Sequence, residues 1–154
     1  LGSDEGALEA VRIAAGGAVD AVILAGLPTS DRVTGDDLEL RTACPNHRKI
    51  LGASAVPLAD VALPNLSSRL AALTTPKLPL LAIHGAADEV SAVTDAVARY
   101  QALGASKILV IRGGRHDILN DVTHRSVAAS IVLFLEELRD GGGLLVVAVA
   151  GTPS

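Results

Sequence analysis

Pro79-Leu80-Leu81-Ala82-Ile83-His84-Gly85-Ala86-Ala87-Asp88-Glu89-Val90 holds the pattern that decides the fold. Residues 78–84 are almost continuously apolar, which suits a strand covered on both faces. Gly85 to Asp88 supplies a turn, and residues 90–103 read as a helix that Gly104 stops. A buried strand, a short turn and a helix form the repeating unit of an α/β sheet. Downstream, Lys107 to Ile111 reads as another strand, ended by Gly113-Gly114, and residues 121–139 as a long helix. The apolar stripe of that helix is Val122, Val127, Ile131, Phe134 and Leu135, with Glu136, Glu137 and Arg139 on the outer side.

Upstream the same alternation appears. Residues 5–16 place Ala7, Leu8, Ala10, Val11, Ile13 and Ala14 at helical spacing before Gly16-Gly17, and residues 19–27 read as a buried parallel strand closed by Pro28. From Thr29 to about Pro76 the period is lost. Asp31, Gly35, Pro45, Pro57, Pro64 and Pro76 punctuate the segment, with short helical patches near 37–42 and 66–73. That length is too great for a plain connector, so a small cap-like insertion over 29–76 is expected. The fold class is α/β, with one domain over residues 1–140 and a tail over 141–154, whose apolar run at 144–150 is assigned no role. The chain opens on Leu1 with Gly2-Ser3-Asp4-Glu5-Gly6 and no strand ahead of it, so it is expected to be the C-terminal half of a longer protein.

Composition narrows the function classes. Hydrophobic residues make up 49% of the 154 and charged residues 19%, which is globular rather than disordered. Phe134 and Tyr100 are the only aromatics, so the core must be aliphatic and no stacking platform is on offer for single-stranded nucleic acid or sugar. The net charge of −4 comes without a basic patch, which argues against nucleic acid and anionic membrane as partners. The single Cys44 cannot form an internal disulfide, there is no signal-peptide pattern, and no apolar run approaches a membrane span. A soluble cytoplasmic protein acting on a small molecule is the expectation.

Chemistry concentrates in two loops, each at the C-terminal end of an expected parallel strand, where catalytic groups collect in open α/β sheets. One is His84-Gly85-Ala86-Ala87-Asp88-Glu89-Val90; the other is Gly113-Gly114-Arg115-His116-Asp117-Ile118-Leu119-Asn120-Asp121. One crossover unit separates Asp88 from His116, so the loops should be neighbours. A carboxylate placed there can accept the imidazole Nδ1 proton, leaving the other nitrogen to act as general base. Taken alone, Asp88 would be read as a helix N-cap and His116 as an exposed loop residue; the pair in this order is what points to catalysis.

The run Pro79-Leu80-Leu81-Ala82-Ile83-His84-Gly85, then Asp88 and Val90, then residues 113–121, resembles α/β-hydrolases of the serine aminopeptidase, lysophospholipase and monoacylglycerol lipase type. The likeness extends over residues 2–138 and is weak over 29–76. It implies a partial α/β-hydrolase fold with about three parallel strands, an acid at Asp88 and a catalytic histidine at His116. No cofactor or metal is implied. The expected activity is hydrolysis of carboxylic esters, acylglycerol- or lysolipid-like or small.

In that family the nucleophile lies in G-x-S-x-G, on a sharp strand-to-helix turn. Gly2-Ser3-Asp4-Glu5-Gly6 occupies the place, and its register puts Asp4 at the nucleophile position. Three readings of Asp4 stand side by side. It is an aspartate nucleophile of the epoxide hydrolase or dehalogenase kind, forming an alkyl-enzyme ester; or it marks a catalytically silent scaffold or binding protein; or it caps the following helix. The dehalogenases' halide-binding Trp is missing, and the lone Tyr100 falls in a sheet-covering helix. The backbone N–H of Glu5 is the expected oxyanion donor. His84 is read as structural and His124 as a surface residue, while Cys44 and His47 lack the second ligand pair of a zinc site.

Overall fold

The structure, a computed structural model, describes residues 1–29, 38–53 and 65–141. Most of the expected tail (142–154) and residues 30–37 and 54–64 of the expected insertion lie outside the described residues. The elements are β1 (Gly2–Ser3), α1 (Glu5–Ala15), β2 (Val22–Ala25), α2 (Leu38–Arg41), α3 (Pro45–Gly52), α4 (Leu66–Ala71), β3 (Leu80–Gly85), α5 (Val93–Ala102), β4 (Lys107–Ile111) and α6 (His124–Arg139).

The strands form one parallel sheet in the order β1-β2-β3-β4. The fourth strand is β1. Two residues are too short to show any period, so it escaped the sequence reading. Successive side chains of a strand point to opposite faces, and the core divides accordingly. Val22, Leu24, Leu80 and Ala82 pack with Ala7, Leu8, Val11 and Ala14 of α1, with Leu66 and Leu70 of α4, and with Ala96 and Tyr100 of α5. Ile23, Ala25, Leu81 and Ile83 pack on the other face with Ile118, Val127 and Phe134. Helices on both faces explain why β2 and β3 are buried at every position.

Helix starts differ from expectation in informative ways. α6 begins at His124 rather than at residue 121, because Asp121 is occupied elsewhere: its carboxylate accepts from the N–H groups of Arg115, Val122 and Ala43 and from the Thr42 hydroxyl. Val122 and Leu135, expected in the core stripe, are exposed, whereas Glu137 is buried and paired with Lys107 at 2.5 Å. α3, opened by Pro45, was not foreseen; proline's fixed φ suits the first helical position.

The strand ends set the stage for the site. Asp4 follows β1, Asp88 follows β3 and His116 follows β4, all at C-terminal ends. Between them, Gly26 follows β2 with φ +57, and a Cβ there would lie 2.5 Å from the His116 carbonyl oxygen. The His loop therefore folds directly over a bare backbone. Gly26→Ala should cost about 1–3 kcal/mol of unfolding free energy through overpacking and displace His116; urea unfolding and the imidazole NMR signal would check both effects.

Candidate active site

Asp4 is one of two non-glycine residues with a positive φ among the described residues. It joins β1 directly to α1 with φ 52 and ψ −129, a conformation that a residue with a Cβ rarely adopts. Such a position stores on the order of 1–3 kcal/mol and persists only when its surroundings impose it. Here they do. The Asp4 N–H donates to the Ala25 carbonyl at 3.1 Å, and its carbonyl accepts from Ala7 N–H at 2.9 Å. Gly2 lets α1 turn back tightly, since a Cβ there would meet the Gly6 carbonyl oxygen at 2.0 Å. The Asp4 side chain makes no capping bond to α1, so the helix-cap reading fails. It is aimed instead at His116 and Arg41. Glu5 opens α1, and the N–H groups of a helix's first turn have no partner within the helix.

Asp88 and His116 meet as the sequence reading expects. His116 Nδ1 lies 2.8 Å from Asp88 Oδ2, with both side chains essentially inaccessible to solvent. Its Nε2 faces Asp4 Oδ1 at 3.5 Å. The imidazole is thus suspended between two carboxylates from different strand ends. Asp88 also accepts through Oδ1 from the N–H groups of Val90 and Ser91, at 2.9 and 2.8 Å, which fixes the carboxylate plane. Asp88 does not cap α5, which starts later, at Val93, with Ala92 at its N-cap position.

The charges follow from these contacts. Burial by itself would depress His116, but its hydrogen bonds to Asp4 and Asp88 and their charges raise its pKa to about 9. Burial would raise Asp88, yet the hydrogen bonds from His116 and His84 outweigh it and hold the carboxyl far below its ordinary value. Asp4 is likewise lowered: burial opposes ionisation, and His116 and Arg41 overcome it.

Four residues that the sequence reading assigned no part, or only a structural one, complete the site. Arg41, from α2, places its guanidinium on Asp4 Oδ2 and also lies 3.3 Å from Asp117 Oδ1. Asp117 in turn accepts from His47 Nε2 at 3.1 Å, so His47 turns to this carboxylate and not to Cys44. His84, expected to be structural, is fully buried behind the acid. Its Nε2 lies 3.0 Å from Asp88 Oδ2 and 2.9 Å from the Ser91 carbonyl, while its Nδ1 lies 3.1 Å from the Tyr100 hydroxyl, which accepts from Leu27 N–H at 3.0 Å. These partners assign the proton to Nε2. His124 is exposed, as expected for a surface residue. Ligand atoms of Asp4, His116 and Asp117 lie within 4.8 Å of one another, but the Arg41 guanidinium already bridges the two carboxylates as their cation.

Comparison with known proteins bears on the fold. No family model matches the sequence, and no curated protein matches it either. Solved structures do. A monoacylglycerol lipase from Paleococcus ferrophilus aligns over 87% of this chain and 66% of its own, at 16% identity and a TM-score of 0.68. A soluble variant of monoglyceride lipase from Saccharomyces cerevisiae aligns over 88% of this chain and 60% of its own, at 17% identity and a TM-score of 0.65. This is a partial α/β-hydrolase fold. A bromoperoxidase from Bacillus anthracis shares it at 19% identity and a TM-score of 0.56, over 88% of this chain and 66% of its own. At such identities the likeness speaks for architecture alone, and the chain spans less than two thirds of the length of these hydrolase-fold proteins. Among the described residues no helix is long and apolar enough to cross a membrane.

The raised pKa of His116 makes stability depend on pH. Against about 6.5 in the unfolded chain, a folded value of about 9 means that the stabilisation is complete below pH 6.5 and lost as pH rises through 9. It amounts to about 3 kcal/mol. Urea unfolding from pH 6 to 10 should show this decline, and His116→Gln should flatten it.

Proposed function

We propose that this chain carries the reaction centre of an α/β-type hydrolase acting on carboxylic esters, of acylglycerol, lysolipid or small-ester kind. The observation that carries the proposal is one imidazole held at Nδ1 by Asp88 and facing the elbow residue Asp4 with Nε2. Lipases and an esterase among the structural neighbours support the ester class.

In its neutral form His116 takes a proton from water through Nε2, while Asp88 accepts the Nδ1 hydrogen and stabilises the imidazolium that forms. The hydroxide so generated attacks the ester carbonyl. The bond from carbonyl carbon to alkoxy oxygen then breaks, and the Nε2 proton passes to the leaving alkoxide. The Glu5 N–H, at the start of α1, supplies one donor to the oxyanion. An aspartate at the elbow would by itself repel that oxyanion, and the Arg41 guanidinium offsets its charge.

The elbow geometry of Asp4 favours a second reading, in which the ester is made on the enzyme. Asp4 Oδ1 attacks a saturated carbon of an epoxide or halide and the carbon–oxygen or carbon–halogen bond breaks; the halide departs, or the epoxide alkoxide takes the Nε2 proton of His116. Water activated at neutral His116 then hydrolyses the Asp4 alkyl ester, releasing the alcohol and restoring the carboxylate. Acyl transfer onto Asp4 is excluded on chemical grounds, since it would leave a labile anhydride. Both readings end with the same step, water attacking an ester carbonyl beside His116.

Short-chain nitrophenyl esters and a matched epoxide and haloalkane separate the outcomes. Ester turnover by the chain should fall about 10²–10⁴-fold in His116→Ala and survive Asp4→Asn, which should abolish any turnover of epoxide or halide. Ester turnover found only in Asp4→Ser would mark the chain as a silent scaffold or binding protein and defeat the proposal.

A further inference from the structure

Arg41 lies in α2, far in sequence from Asp88 and His116, yet its guanidinium sits on the carboxylate that faces His116. Its side chain is only 11% exposed. Its backbone is fixed from the His loop, because Asp117 N–H donates to the Arg41 carbonyl at 2.8 Å. Its guanidinium is fixed twice more, by Asp4 Oδ2 and by Asp117 Oδ1. The remaining oxygen of Asp117 faces His47 of α3. Arg41 Nε, meanwhile, is buried without a hydrogen-bond partner. Leaving such a group unsatisfied opposes folding, so the arrangement is a poor way to anchor a segment and a good way to place a charge.

We propose that Arg41 is a positioning residue for Asp4: it holds one carboxylate oxygen and neutralises it, so that the other oxygen is the one presented to His116 and to substrate. The inference rests on the reading of Asp4 as the elbow residue of a hydrolase site and adds to it a part for α2. Because the guanidinium already binds two protein carboxylates, Arg41 is not a receptor for a substrate carboxylate. Its influence on His116 runs through Asp4. The other groups around the imidazole are Asp88 of the acid loop with His84 behind it, Asp117 of the His loop, and His47 of α3 beside Asp117.

Removing the guanidinium should leave the Asp4 charge uncompensated and strengthen its hold on the His116 imidazolium. An opposite charge at this range shifts a pKa by about 1–3 units, so Arg41→Met should move the His116 midpoint upward by about one pH unit. The measurement is an NMR titration of the imidazole on the chain without substrate. Arg41→Lys should restore most of the original midpoint. Arg41→Gln keeps hydrogen-bond donors without the charge and should shift the midpoint as Arg41→Met does, which covers the case in which the methionine variant does not fold. In an Asp4→Asn background the shift should shrink to less than half, as expected when one residue acts through another. An unchanged midpoint in both Arg41→Met and Arg41→Gln would overturn the proposal, whatever happens to urea stability; so would a full shift that persists in Asp4→Asn. Since no turnover is read, failure of every ester assay would defeat the proposed function and leave this inference to be decided by the titration.

Discussion

A buried imidazole between two carboxylates is the constraint around which the rest of this molecule is arranged. His116 gains a proton's worth of charge from Asp88 and Asp4, and both carboxylates stay ionised because His116 and, for Asp4, Arg41 face them. Neither His116 nor Asp88 would be favourable as a charge where it lies without partners, since burying a lone charge is costly. The arrangement therefore demands that ends of separate strands be brought to the same height. Parallel pairing in register does this: Ser3 pairs with Ala25, Ala25 with Ile83, and Ile83 with Leu109. The His loop then crosses over Gly26, where a side chain would block it.

The second requirement is strain at Asp4. A left-handed φ on a residue with a Cβ lifts its side chain out of the line of strand and helix. The turn presents the carboxylate at its apex, away from α1. Retained strain without a capping bond separates this residue from an ordinary helix start. It also gives the carboxylate two clear neighbours, an imidazole on one oxygen and a guanidinium on the other.

Residues 39–47 and the His loop form one electrostatic unit. Asp121 ties the Arg115 amide of the His loop to Ala43 and Thr42 beyond α2, Asp117 ties His116's own loop to Arg41 and His47, and Arg115 reaches the Glu39 carbonyl. Two of the residues that shape the charge of the site, Arg41 and His47, thus come from α2 and α3. Behind the acid, Tyr100 and His84 carry a hydrogen-bonded line from the Leu27 amide to Asp88, so the acid loop is set by the loop after β2 as well as by its own backbone.

Local pattern in the sequence was enough to determine the α/β alternation, the strands around Ile23, Ile83 and Leu109, and the pairing of Asp88 with His116. Each of these depends on periodicity or on the rule that functional groups gather at the C-terminal ends of parallel strands. Asp4 was legible as a site position through its Gly flanks, but not its role, because a helix cap and a nucleophile call for the same residue type. Arg41, Asp117, His47 and the buried face of Glu137 were not legible. Their places depend on contacts across tens of residues, for which neither spacing nor composition leaves a local trace. Only the folded chain decided which carboxylate the guanidinium would meet, and whether the side chain at position 4 would turn toward its own helix or toward the imidazole.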